Sequence, residues 1–187
     1  MKQLLLHCCC GPCATYCIEY LQLHHSFDYA LTLFFSNSNI LSKQEFDARL
    51  QSLKIVSAHF DVDMVIDRYD HEDWKRKIFF DDDITLENQT EGKLRCLRCF
   101  DYSFRKCTTY ASKHGYDLFS TTLTISPYKD SSLIFEVAKK VASDGHSKVA
   151  FLDIDFSSDD GYKKSMLISK KLNLYRQKFC GCEFSQR

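Results

Sequence analysis

Gln3-Leu4-Leu5-Leu6-His7-Cys8-Cys9-Cys10-Gly11-Pro12-Cys13 carries the reading of the fold. The apolar run has the length of a buried strand, and Pro12 stands where its fixed φ suits the first turn of a helix. Cysteines crowd the connection between them. The same order repeats downstream. Tyr29 to Phe35 (YALTLFF) reads as a second strand, followed by the polar loop Ser36-Asn37-Ser38-Asn39. Ser42 and Glu45 form a capping box that opens a helix carrying Phe46, Leu50, Leu53 and Val56 on one face.

Met64 to Ile66 is a third short strand. The acidic stretch after it, with Trp74 and Asp81-Asp82-Asp83, reads as a loop or a short insertion. A helical pattern runs from Leu97 to about His114, with Gly115 as its stop. Leu118–Leu123 is a fourth strand, Ser131–Ala142 a helix, Val149–Leu152 a fifth strand and Ser165–Leu174 a last helix. Such alternation predicts an α/β fold: a Rossmann-like parallel sheet of about five strands with helices on both faces. Nothing resembles a repeat or a linker, so residues 1–187 read as one domain. Ligands in such sheets sit beyond the carboxyl ends of the strands. Cys8–Cys13 and Thr121–Asp130 both fall there.

A chain of 187 residues with 44% apolar side chains buries a core without disulfides. No stretch approaches the roughly 18 apolar residues of a membrane span. The start lacks the pattern of a cleaved signal. The expectation is a cytoplasmic protein away from membranes, in a compartment where thiols stay reduced. The net charge of zero hides an asymmetry: residues 1–92 hold 8 basic against 15 acidic side chains, residues 161–187 hold 7 against 1. A basic tail fits a polyanion such as RNA, or simply a solvated helix face.

Ten cysteines fall mainly into three clusters: Cys8-Cys9-Cys10-Gly-Pro-Cys13, Cys96-Leu-Arg-Cys99 and Cys180-Gly-Cys182. Spacings of two and three suggest a metal site or a redox pair. Cys96 and Cys99 share one side of a first helical turn, where unpaired N–H groups favour thiolate. With Cys9 and Cys10 they make four ligands, enough for zinc or a [4Fe–4S] cluster. A zinc-stabilised nucleic-acid-binding module stays open on ligand number. So does a thioredoxin-like thiol–disulfide oxidoreductase using Cys10-Gly11-Pro12-Cys13, with Pro127 as its facing cis-proline. Cys180 and Cys182 read as a redox pair rather than a staple, because so tight a ring is strained and labile, with two extra metal ligands as the alternative. Cys17 and Cys107 read as small buried hydrophobes, and Cys8 is undecided.

Taken together with the segments between them, these clusters resemble the QueH-type epoxyqueuosine reductases. The matching stretches are His7–Cys13, Phe34–Ile40, Glu91–Phe100 (EGKLRCLRCF), Ser120–Lys129 (STTLTISPYK), Asp155-Phe156 and Tyr175–Cys182 (YRQKFCGC). They cover nearly the whole chain in one order. Two segments depart from the usual pattern: Ser36-Asn37-Ser38-Asn39 where relatives often have Tyr-Asn-Pro-Asn, and Ser157-Ser158-Asp159-Asp160 where lysines are common. The resemblance implies the adenine nucleotide α-hydrolase (HUP) fold. It implies cobalamin-independent reduction of epoxyqueuosine to queuosine at the wobble position of tRNA, the last step of queuosine biosynthesis. By position, Cys9, Cys10, Cys96 and Cys99 would ligate the [4Fe–4S] cluster, and Cys180 with Cys182 would form a redox-active disulfide. An additional mononuclear iron beside the cluster is implied too, with Cys13 as a candidate contact.

Turning an epoxide into an alkene takes two electrons and two protons, and no side chain supplies the electrons. Tyr128, Lys129 and Asp130, beyond strand four, are candidates for the acid; the electron donor is a partner that no motif identifies. Arg95, Arg98, Lys163, Lys164, Arg176 and Lys178 are candidates for tRNA phosphates. Tyr162, Tyr175 and Phe179 are candidates for stacking on bases. His7 reads as a structural histidine.

Overall fold

The computed structural model describes residues 1–79, 92–144 and 148–185. Asp81-Asp82-Asp83 and Glu91 lie outside the described residues. Five strands, β1 (Lys2–His7), β2 (Tyr29–Phe35), β3 (Asp63–Ile66), β4 (Leu118–Thr121) and β5 (Ala150–Phe151), form one sheet in the order β3-β2-β1-β4-β5. Every pairing is parallel; Leu4 stands opposite Leu31 on one side and Leu118 on the other. The helices are α1 (Gly11–His25), α2 (Lys43–Phe60), α3 (His71–Ile78), α4 (Leu94–Lys113), α5 (Ser131–Ser143) and α6 (Gly161–Lys171).

Alternation along the strands divides the core. Leu4, Leu6, Leu33 and Phe35 pack on the face covered by α1, α2 and α6. Leu5, Phe34 and Phe119 pack on the opposite face with Phe104, Cys107 and Ile134 of α4 and α5. Buried on both sides, β1 must be apolar throughout its centre, which is why Leu4-Leu5-Leu6 is an unbroken run. Cys17 and Cys107 are fully buried, as small hydrophobes in these two cores. A Cβ on Gly11 would lie 2.6 Å from the backbone of Ser52, so glycine lets α1 and α2 approach closely.

The sheet reverses its order at β1. The next strand in sequence, β2, lies on one side of it, and β4 lies on the other. The loops leaving β1 and β4 therefore open a crevice at their carboxyl ends, where such sheets bind ligands. Local boundaries differ from expectation in several places, α4 among them, which starts at Leu94 and not Leu97. Trp74 belongs to a helix, α3, capped by Asp70, whose side chain accepts from the Asp73 N–H at 3.0 Å. Strand four stops at Thr121, and Thr122–Ile125 tightens into a 3₁₀ turn. β5 keeps only two residues. The last helix starts at Gly161 and ends at Lys171, near a left-handed Asn173.

Candidate functional site

The crevice holds a cavity of about 260 Å³ whose walls come from distant parts of the chain. Cys9 and Cys13 stand on one wall, Cys99 and Cys180 on another. His7, Asn37, Arg49, Lys129 and Gln177 also line it. Sequence proximity explains none of this. It follows from the switch in strand order and from the path of the C-terminal segment back over the crevice.

The first wall is built by the loop between β1 and α1. Cys10 is the N-cap of α1, and its sulfur accepts from the Cys13 N–H at 3.5 Å. The Cys9 and Cys10 sulfurs lie 3.8 Å apart, and with Cys13 all three fall within 4.8 Å of one another. Among the described residues this is the one group that could hold a single ion. Thr122 ties the loop to β4: its hydroxyl accepts from the Cys9 N–H at 3.3 Å and stands 3.5 Å from the Cys9 sulfur. Asn37 holds it to β2 by donating to the Cys8 carbonyl at 2.8 Å. Cys8 itself is fully buried, and its thiol donates to the Leu6 carbonyl. Burial raises its pKa well above the usual thiol value, so it is a structural thiol.

Protons are unevenly shared on this wall. Thiol donation from Cys10 and then Cys13 holds the Cys9 sulfur well below the ordinary range, against the cost of burial. Burial pushes Cys10 up to about 12. The hydrogen bonds to Cys10 and Cys9 hold the Cys13 proton in place.

The opposite wall is built by α3, α4 and the C-terminal segment. Cys96 and Cys99 occupy the first turns of α4; the Gly92 N–H donates to the Cys96 sulfur at 3.3 Å, and the Trp74 indole N–H donates to the Cys99 sulfur at 3.3 Å. Burial raises the Cys99 pKa. Trp74 packs with Ile78, Cys99 and Cys182 in a small apolar cluster. Cys180 lines the cavity, with the Lys129 ammonium 3.4 Å from its sulfur; Cys182 is buried, with the Arg95 guanidinium 3.1 Å away. Gly181 between them adopts φ +132°, which only glycine holds without strain. All ten cysteines are free, so Cys180 and Cys182 stand as two thiols rather than as the expected disulfide.

Several expectations are relocated. Arg95 is buried beneath Cys182 and stacks on Phe184 at 5.1 Å, so it faces a sulfur rather than tRNA phosphate. Arg98 donates to the Ile78 carbonyl at 2.9 Å and joins α4 to α3. Asp130 caps α5, accepting from the Ser132 N–H at 2.8 Å; it does not line the cavity. The Ser132 hydroxyl, and then its N–H, hold the Asp130 carboxyl below the usual range, the wrong direction for an acid. Tyr128 lines the cavity and is mostly exposed. Lys163 pairs with Asp160, and Lys164 reaches the Tyr16 hydroxyl; neither lines the cavity. Arg176, Lys178, Tyr162 and Phe179 do line it, whereas Tyr175 donates to Glu45. His7 is buried between Thr121 Oγ1 and the Ser36 carbonyl, a structural position, and burial lowers its pKa. The peptide bond before Pro127 is trans, so no cis-proline faces Cys10 and Cys13.

The sequence assigns no role to three residues at the site: Trp74, Arg49, and Gln177, which lies within the matching stretch Tyr175–Cys182. Arg49 was legible as an oddity, a guanidinium on the apolar stripe of α2 beside Phe46, Leu50 and Leu53. It is fully buried, paired with Glu45 at 2.7 Å, and donates to the carbonyls of Cys180 and Phe179. Gln177 donates to the Cys10 sulfur at 2.9 Å.

A family model described as epoxyqueuosine reductase QueH matches residues 4–187. The epoxyqueuosine reductase QueH of Streptococcus pyogenes serotype M1 is 33% identical over 190 residues, covering 98% of this chain and 70% of that protein. The one from Haemophilus influenzae is 31% identical over 186 residues, covering all of this chain and 72% of its own. Among solved structures, the U34-tRNA thiolase NcsA from Methanococcus maripaludis with its [4Fe-4S] cluster superposes with a TM-score of 0.56 at 13% identity. The match spans 100% of this chain and 62% of that one. At such identity the likeness is one of fold, and it agrees with the Rossmann-like architecture seen here.

Proposed function

The chain belongs to the QueH family of epoxyqueuosine reductases, and from that premise we propose that it reduces epoxyqueuosine to queuosine at the wobble position of tRNA. The observation that supports this reading best is one cavity at the carboxyl edge of β1 and β4, walled by Cys9 and Cys13 on one side and by Cys99 and Cys180 on the other. A thioredoxin-like exchange would use Cys10 and Cys13 and leave the second wall without work.

The donor set suits an iron–sulfur group. Thiolates select such clusters, and ligands around a four-iron core stand farther apart than ligands around one ion. Of the four proposed ligands, Cys9 and Cys99 line the cavity from its two walls, and Cys10 and Cys96 stand behind them in the chain segments that build those walls. Cys9, Cys10, Cys96 and Cys99 would hold the [4Fe–4S] cluster, and Cys13 would contact an additional mononuclear iron beside it. When bound, the cluster supplies electrons singly and the iron polarises the epoxide oxygen.

The chain's own groups supply the rest. The conversion consumes two electrons and two protons and releases the oxygen as water. Lys129, on the cavity wall, holds the proton that the departing oxygen takes; Tyr128 stands at the rim beside it. Cys180 and Cys182 form the redox-active pair: as thiols they hold two electrons, as a disulfide they have given them up. Arg176 and Lys178 face the tRNA phosphates, with Tyr162 and Phe179 available to stack on bases. A cytoplasmic setting is part of this proposal, in keeping with a tRNA substrate; no helix among the described residues is long and apolar enough to cross a membrane.

The test is anaerobic purification followed by incubation with tRNA carrying the epoxide, a reductant and then nucleoside analysis. Broad visible absorbance bleached by dithionite, with conversion of epoxyqueuosine to queuosine, is the expected result. A colourless protein that leaves the epoxide intact would sink the reading.

A further inference from the structure

The sulfurs at this site divide by the donors that face them. Cys180 faces an ammonium and Cys182 a guanidinium. The four proposed ligand sulfurs each meet an uncharged partner: Thr122 at Cys9, Gln177 at Cys10 and Trp74 at Cys99, all distant in sequence, and at Cys96 the N–H of Gly92, four residues before it. Two of these partners are side chains that donate an N–H, one per wall. Trp74 is fully buried, its ring stacked on His71 at 5.2 Å and 20°, and His71 is in turn bonded to the Ser38 carbonyl at 2.9 Å. The indole is therefore held with its N–H on the Cys99 sulfur. Gln177 reaches across the cavity from the C-terminal segment to a sulfur 167 residues earlier.

We infer that Trp74 and Gln177 are positioning residues that set the reduction potential of the proposed cluster through N–H bonds to the Cys99 and Cys10 sulfurs. The inference rests on the ligand assignment proposed above. An N–H pointed at a ligand sulfur stabilises the electron-richer, reduced state, so each bond raises the potential and favours electron uptake. Uncharged donors do this without adding a fixed charge next to the metal. Both side chains act through a sulfur rather than on the substrate.

The holoprotein is titrated with redox mediators while its visible absorbance is followed, beside the variants Trp74→Phe and Gln177→Met. Phenylalanine keeps the stack on His71 and loses only the donor; methionine keeps the length of Gln177 and loses its N–H. The expected result is native iron content with a midpoint potential shifted downward in each variant. A packing role alone would leave the midpoint where it was, and unchanged midpoints in both variants overturn the inference while the cluster stands. If Trp74→Phe fails to fold, Gln177→Met decides alone. A native protein without iron–sulfur absorbance overturns the inference together with the ligand assignment beneath it.

Discussion

The Arg49 guanidinium donates to the carbonyl oxygen of Cys180 at 2.8 Å from a fully buried position on α2. The same fork reaches the Phe179 carbonyl at 3.1 Å, and its Nε pairs with Glu45. One side chain thus fastens the C-terminal cysteine loop to the helix that packs on α1. Replacing it by methionine leaves two carbonyls without that donor and a largely buried carboxylate with only the Tyr175 hydroxyl. We expect Arg49→Met to cost about 3 kcal/mol, seen as a lower urea midpoint, with faster hydrogen exchange around Gly181. Arg49→Lys restores the charge but not the planar fork, and falls between the two. A native midpoint in the methionine variant would contradict this account of the loop.

Serine at Cys9, Cys10, Cys96 or Cys99 is expected to lower the iron content and the visible absorbance of the purified protein. Serine at Cys13 should spare that absorbance and remove the additional iron. Serine at Cys180 should leave the cluster spectrum intact and reduce turnover. Iron quantification and single-turnover assays on the set separate these roles; full turnover by Cys180→Ser would remove its redox assignment.

Acid should weaken the bracket between α3 and α4. The Tyr102 hydroxyl donates to Asp73 at 2.9 Å and, with Arg76, holds that carboxyl below its ordinary value. A depressed folded pKa means stability that is present above the unfolded value, about 3.9, and lost as pH falls through the folded one. Tyr102→Phe should therefore lose more stability at neutral pH than at the acid end. Urea midpoints measured across that window check the sign, and a uniform loss would contradict it.

Arg176 and Lys178 line the cavity and are exposed. Alanine at both should weaken tRNA binding and flatten its dependence on salt, by a slope of about 0.7 to 0.9 for each phosphate no longer neutralised. Alanine at Lys163, which is paired with Asp160 away from the cavity, should change neither. Filter binding over a range of salt concentrations reads both quantities. Equal effects at the two places would move the RNA path off the cavity.

Much of the architecture is legible in local signals. The Ser42 cap is real, its Oγ accepting from the Glu45 N–H at 3.1 Å, although the Glu45 carboxylate turns to Arg49 and Tyr175 instead of closing the box, and the alternation of strand and helix yields the parallel sheet. α3 was legible too: Asp70 as cap, acids at 72 and 73 and bases from 75 to 77 follow the helix dipole. The acidic run beyond it drew the reading towards a loop. Arg95 misled for another reason. A guanidinium counts as basic wherever it points, and composition does not say that a sulfur 87 residues away lies above it.

Chain order alone determined the strands, the helices and the three cysteine clusters, because periodicity, caps and short spacings are properties of neighbouring residues. Only the tertiary structure decided that Cys9 and Cys99 share a cavity, that Trp74 and Gln177 attend sulfurs on opposite walls, and that Arg95 is buried. Those meetings depend on the place where β4 crosses to the far side of β1 and on the return of the C-terminal segment, and neither leaves a periodic mark in the sequence.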